Sequence, residues 1–128
     1  MKTKNLLLIF SLFLITSYLF GLVYIGDLNT NEFSPNSVHN KFGIYGSPYS
    51  LNSINNEFGK YGSKYSIYSV NNPYTLYAPK LYDANGVYLG KLSVNQFDIE
   101  SISNPISIYR NMVLQRYNLI VIGIYGQD

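Results

Sequence analysis

The stretch NKFGIYGSPYSLNSIN, residues 40–55, is followed at once by NEFGKYGSKYSIYSVN, residues 56–71, so one block of sixteen residues is written twice in tandem. Half of that block is an aromatic, Ser or Asp, two free positions, Ser, Val or Ile, one free position and Asn. It begins at Phe33, Tyr49, Tyr65 and Phe97. Copied local structure of this kind builds surfaces rather than single sites, and it overrides an element-by-element reading. In Ser34-Pro35-Asn36-Ser37, a serine oxygen able to cap free amides precedes a proline preset for the first helical position. That order predicts a one-turn helix in each half-block. Gly43, Gly46, Gly59 and Gly62 flank Tyr45 and Tyr61, which predicts backbone freedom for tight turns around an anchored ring.

A longer repeat marks where the folded part begins. LVYIGDLNTNEFSPNSVHN from Leu22 matches GVYLGKLSVNQFDIESISN from Gly86 at an offset of sixty-four, with Tyr24 over Tyr88, Gly26 over Gly90 and Leu28 over Leu92. Leu22 to Ile25 therefore belong to the folded unit. The apolar run behind Lys2 and Lys4 is left with Leu6 to Phe20, the length of a signal peptide. Two readings follow: a signal peptide over residues 1–21 cut after Gly21, or an uncleaved anchor over residues 6–25 with its amino terminus inside. In both, the repeats are exported, to the periplasm or beyond. The chain has no cysteine, so an exported domain must hold together without disulfides.

The net charge of +2 comes from 9 Lys and Arg against 7 Asp and Glu, and Lys2 and Lys4 supply all of it. The remainder is neutral, which argues against nucleic acid as a partner and leaves the membrane to the leader alone. Asn85-Gly86 between KLYD and VYLGKL predicts a hairpin over residues 80–92 with a two-residue type I′ turn. Tyr24 to Leu28, the counterpart of Tyr88 to Leu92, predicts a strand paired with that hairpin. The fold class expected is mainly β, a small antiparallel sheet with this central hairpin and turn-rich repeats. One repeat domain spans residues 22–105. The segment 106–128 departs from the pattern: its aliphatic run Asn118 to Tyr125 reads as a buried closing strand. It also reads as a shifted frame, since codons for Asn111 to Gln115 read from the third base allow Tyr-Gly-Ser-Pro, the signature of the repeat itself.

No catalytic constellation is present. His39 stands where the other half-blocks carry Asn55, Asn71 and Ser103, and reads as a turn residue. Asp98 and Glu100 share a strand face with no partner acid or base and read as solvated. Asp83-Ala84-Asn85-Gly86 resembles the opening of a calcium loop but lacks the later acidic ligand, and the hairpin accounts for it. The chain is therefore read as a non-enzyme without cofactor or metal. Tyrosine, 14 copies with no tryptophan, offers an apolar face with a polar tip suited to stacking on sugars. Tyr45, Tyr61 and Tyr68 are the candidate binding residues, Tyr45 and Tyr61 reading first as core and Tyr68 as the better exposed. The expected role is a structural or binding module outside the cytoplasm, with cell-wall carbohydrate or another protein as partner. A small secreted effector or inhibitor is the alternative.

FGIYGSPYSLNSINNEFGKYGSKYSIYSVNNPY followed by PKLYDANGVYLGKLSVNQFD resembles a family of small exported bacterial proteins of uncharacterised role. Their tandem NPYGxYGSPYSxxSIxNP-like repeats surround a YDxxGxYLGxLS hairpin. The resemblance covers Leu22 to Pro105 and brings no activity, cofactor or binding residue with it. Lys41 and Glu57 replace the usual proline, and the match ends after Pro105. Since the long repeat claims Leu22, amino-terminal sequencing of exported material should start close to that residue; a product that retains Lys2 establishes the anchor instead.

Overall fold

The computed structural model describes residues 21–128, so the leader reading falls outside the described residues. Among the described residues four strands, β1 (Leu22–Asp27), β2 (Lys80–Asp83), β3 (Tyr88–Lys91) and β4 (Ile122–Gln127), form one antiparallel sheet in the order β1-β4-β2-β3, with a helix, α1 (Ile108–Arg116), before the last strand. β1 lies beside β4, not beside the hairpin as expected. The closing strand takes a central position, pairing with β1 on one side and β2 on the other. The segment 106–128 is thus part of the same sheet. Its inward residues Ile122 and Ile124 meet Ile25, Leu81 and Leu89 in the core.

Between β1 and β2 the backbone is neither helix nor strand. The amide of Ser50 donates to Ser47, Ser53 to Ser50, Asn56 to Ser53 and Gly59 to Asn56, and then Ser63 donates four residues back to Gly59. Four steps of three and one of four make up the sixteen-residue period. The expected one-turn helices are instead turns in series. The reason is the side chain at the head of one turn in each half-block: the oxygens of Ser37, Ser53, Ser69 and Ser101, all 0% exposed, accept the amide two residues on, at 3.0–3.1 Å. A side-chain acceptor diverts the amide that a helix would use. Asn40, Asn56, Asn72 and Asn104 work both ways. Each Oδ1 accepts the amide two residues on (3.0–3.1 Å), and each Nδ2 donates to the carbonyl six residues back (3.0–3.2 Å). All four half-blocks share these bonds.

The glycines serve a different purpose from the one expected. Gly43, Gly46, Gly59 and Gly62 are not among the residues with positive φ. A Cβ at Gly46 would collide with the Asn40 carbonyl, and one at Gly62 with the Asn56 carbonyl, so the requirement is close approach of backbone to backbone. The same contact explains α1, which the sequence reading missed. At the sixty-four offset Arg110 stands where Gly46 stands, so the coil path is sterically closed there. The chain winds on from the cap at Ser107, whose Oγ accepts from the Tyr109 amide, into a helix that buries Val113.

The hairpin turn also differs in detail. Gly86 alone takes positive φ (79°), Asn85 does not, and the Gly86 amide donates to the Asp83 carbonyl while the Asp83 amide donates to Val87. This is the three-residue loop with glycine at the bulge. Asp83 Oδ1 completes it by accepting from the Asn85 and Val87 amides, both at 2.9 Å, the role that accounts for the calcium-like motif.

The two halves of the sheet are related by a local two-fold. Lys80 pairs with Tyr125, Leu81 with Ile124 and Tyr82 with Gly123, so Leu81 and Ile124 face each other across the axis. The offset of sixty-four carries β1 onto β3, bonds included. Asp27 donates to Asn36 and receives from Val38, just as Lys91 donates to Glu100 and receives from Ile102. Gly26 and Gly90, both with positive φ, sit where an added Cβ would strike Tyr45 and Tyr109 respectively.

Loss of one turn-capping bond costs about 0.5–1.5 kcal/mol. Ser53→Ala should therefore lower the melting temperature measurably, whereas His39→Ser, which puts in place the residue found at the equivalent Ser103, should leave it nearly unchanged. Thermal unfolding followed by circular dichroism checks both.

Candidate functional site

The three candidate tyrosines do not form one platform. Tyr61 is 3% exposed, its hydroxyl donates to the Gln127 carbonyl at 2.8 Å, and its ring fills the space above Gly126. It is core. Tyr45 packs edge-on against Tyr24, with ring centroids 5.1 Å apart. Tyr68 is half-buried, with the Lys60 ammonium 4.7 Å from its ring centre and Tyr77 at 6.3 Å. Such a cation over a ring is weakly attractive and covers that face.

Tyr45 is one end of a row of rings on the sheet face opposite the aliphatic core. Tyr45, Tyr24, Tyr125, Tyr82, Tyr88 and Tyr109 follow one another at centroid distances of 5.1, 5.6, 5.7, 5.4 and 5.2 Å, mostly edge to face. The alternation of β-strands puts Tyr24, Tyr82, Tyr88 and Tyr125 on one face, and the two outer rings come from the coil and from α1. Edge-to-face pairs at this spacing each add roughly 0.5–1.5 kcal/mol beyond area burial. The halves differ in their polar ends. Tyr24 donates to Asp27 Oδ1 at 2.6 Å, whereas the Tyr88 hydroxyl is buried beside the Glu100 carboxylate without a hydrogen bond of normal geometry.

The cause of that difference is Lys91, which stands where Asp27 stands. Its ammonium reaches Asp98 Oδ2 and the Leu76 carbonyl at 2.9 Å and Glu100 Oε2 at 3.2 Å. Burial works against the charged lysine, but the two carboxylates outweigh it and hold its pKa above the ordinary value. Asp98 is therefore buried and paired, not solvated as expected, and Glu100 is half-buried in the same cluster. His39 Nδ1 lies 2.8 Å from the Asn29 carbonyl, and Ser103 Oγ donates to the equivalent Ser93 carbonyl. The one histidine is thus committed to the coil.

The rings left on the surface are others. Phe33, Phe42, Tyr49, Phe58, Tyr65, Tyr74 and Phe97 are 82–100% exposed. Each donates its amide to the Asn or Ser side chain two residues before it: Asn31, Asn40, Ser47, Asn56, Ser63, Asn72 and Asn95. In these seven turns the ring points outward. Two ladders result, Phe33-Tyr49-Tyr65 and Phe42-Phe58-Tyr74, with equal steps of sixteen residues. Clefts of about 250 Å³ between Phe33 and Phe42 and about 560 Å³ between Phe58 and Tyr65 separate them. The signal was present as the triplets NEF, NKF, SPY, NEF, SKY, NPY and NQF. Aromatic composition suggested core, and the exposure of these rings is seen only in the folded chain. Among the described residues no group of three or more acidic or histidine side chains could hold a metal ion, and no helix is long and apolar enough to cross a membrane.

Tyr24, Tyr61, Tyr82, Tyr88, Tyr117 and Tyr125 all titrate above the ordinary 10.0, chiefly through burial. The unfolded chain therefore ionises first as pH rises. Stability should hold below about pH 10 and fall steeply above it, with raised Lys91 acting in the same direction. Denaturant unfolding between about pH 8 and about pH 11, with phenolate absorbance recorded alongside, checks the direction and the window.

A scan against protein-family models finds no match, and searches of curated proteins and of solved structures find no similar protein either.

Proposed function

We infer that the protein is a binding module working outside the cytoplasm, with cell-wall carbohydrate as the partner laid along the exposed rings of its coil. The observation that carries this reading is the pair of ring ladders. Soluble monomers rarely leave regular rows of large apolar side chains in water without a partner. The positions just before the rings read Glu32, Lys41, Pro48, Glu57, Lys64 and Pro73, a mixture of signs that favours a neutral polymer over a polyanion. The hydrophobic leader and the resemblance to exported repeat proteins support the location. Rows of rings offer stacking faces, so the reading is of retention, not turnover.

The second reading is a small secreted effector that grips another protein. The near-complete projection of the rings favours it, since aromatic anchors inserted into pockets dominate many protein interfaces. One experiment separates the two: a pull-down of the exported protein against insoluble cell-wall material and, separately, against secreted proteins. The triple variant Phe42→Ser, Phe58→Ser, Tyr74→Ser removes one ladder. It should keep its melting temperature, because these rings touch little, and lose most of its retention on wall material. Undiminished retention sinks the carbohydrate reading.

A further inference from the structure

Behind the ladders lies a second feature that the ring reading does not use. A cleft of about 510 Å³ runs across three successive half-blocks, walled by Leu28, Val38, Pro48, Ile54, Val70 and Leu92. That volume is within the range of pockets for small ligands, about 300–1,000 Å³. Val38, Ile54 and Val70 occupy the same position of consecutive blocks, so the apolar wall is elongated, a trough rather than a bowl.

Its polar members are few. The Asn55 amide is spent on the Val38 and Gly46 carbonyls at 2.7 and 3.0 Å, and His39 Nδ1 is spent on Asn29. The third, Lys41, makes no side-chain hydrogen bond or ion pair among the described residues, and no carboxylate lines the cleft. An apolar trough with an unpaired ammonium and no carboxylate in its lining matches a molecule with one apolar tail and one negative end. We propose that this cleft binds a single-chain anionic amphiphile of the fatty-carboxylate class, tail along Val38, Ile54 and Val70, carboxylate at Lys41. A charge-assisted bond to the headgroup supplies the sign preference, and burial of the tail supplies most of the affinity.

The site is independent of the carbohydrate reading, and its test is separate. The purified chain is titrated with N-phenyl-1-naphthylamine, a neutral probe whose fluorescence rises on entering an apolar site. The bound probe is then displaced by palmitate or by hexadecyltrimethylammonium. Palmitate should displace at one per chain and about tenfold more tightly than the cation, and Lys41→Glu should reverse that order. Ile54→Glu should abolish both. Where Ile54→Glu fails to fold, the exposed Lys41 side chain keeps the test decisive. Absence of a probe signal, equal displacement by both amphiphiles, or an order unchanged by Lys41→Glu overturns the proposal. So does loss of binding in Phe97→Ser, which would place the amphiphile on the exposed rings.

Discussion

One bond is the foundation of this fold: the oxygen of a Ser, Asn, Asp or Thr side chain accepting the amide two residues further on. It recurs from Asn29 to Ser107 along the coil. A net hydrogen bond contributes only about 1 kcal/mol, so no single copy is decisive. The series replaces the regular ladders of helix and sheet and satisfies amides that would otherwise be orphaned. At Phe33, Phe42 and their counterparts the same bond holds the backbone of a ring that faces water.

Against that, the apolar core is small. It centres on Ile25, Leu81, Leu89, Ile122 and Ile124, all from the sheet, closed by Val38, Tyr61 and Val113. The opposite face is sealed by tyrosine edges, not by a second layer of elements. A domain of this size has little core to spare, and the local two-fold helps by using one packing solution twice. The symmetry is imperfect where Lys91 replaces Asp27, and there a buried charge cluster takes the place of a simple tyrosine-to-aspartate bond.

Much of this was legible in the residues. The block repeat, the sixty-four offset and the hairpin all follow from spacing, because they are local. What was not legible depends on distant partners. GIYG occurs at residues 43–46 and again at 123–126; the first copy is turn and the second is strand. The four letters are the same. Asn40 and Ser47 bend the first copy through their side-chain bonds, while the second, preceded by Leu119-Ile120-Val121, is drawn between β1 and β2. The central place of β4 and the burial of Asp98 by Lys91 are likewise tertiary outcomes that no window of sequence displays. The exposed rings were hidden for a different reason: hydrophobicity pointed inward, and the folded chain leaves them in water.

The links between blocks bear on how such a chain can change in length. The Asn55 amide reaches the carbonyl of Val38 in the block before it, and Asn71 reaches toward Ile54 in the same way. Each block is therefore fastened to its predecessor through one repeated asparagine. A coil joined in this manner accepts whole blocks as insertions or losses, since every link is re-formed with the next copy along. A gain or loss of one residue instead leaves the later turns intact, since they are local, but changes the length of one block so that its asparagine no longer meets the carbonyl of its predecessor. The unit of heritable variation in this architecture is the block, and length polymorphism in steps of sixteen residues is the form of diversity it tolerates best.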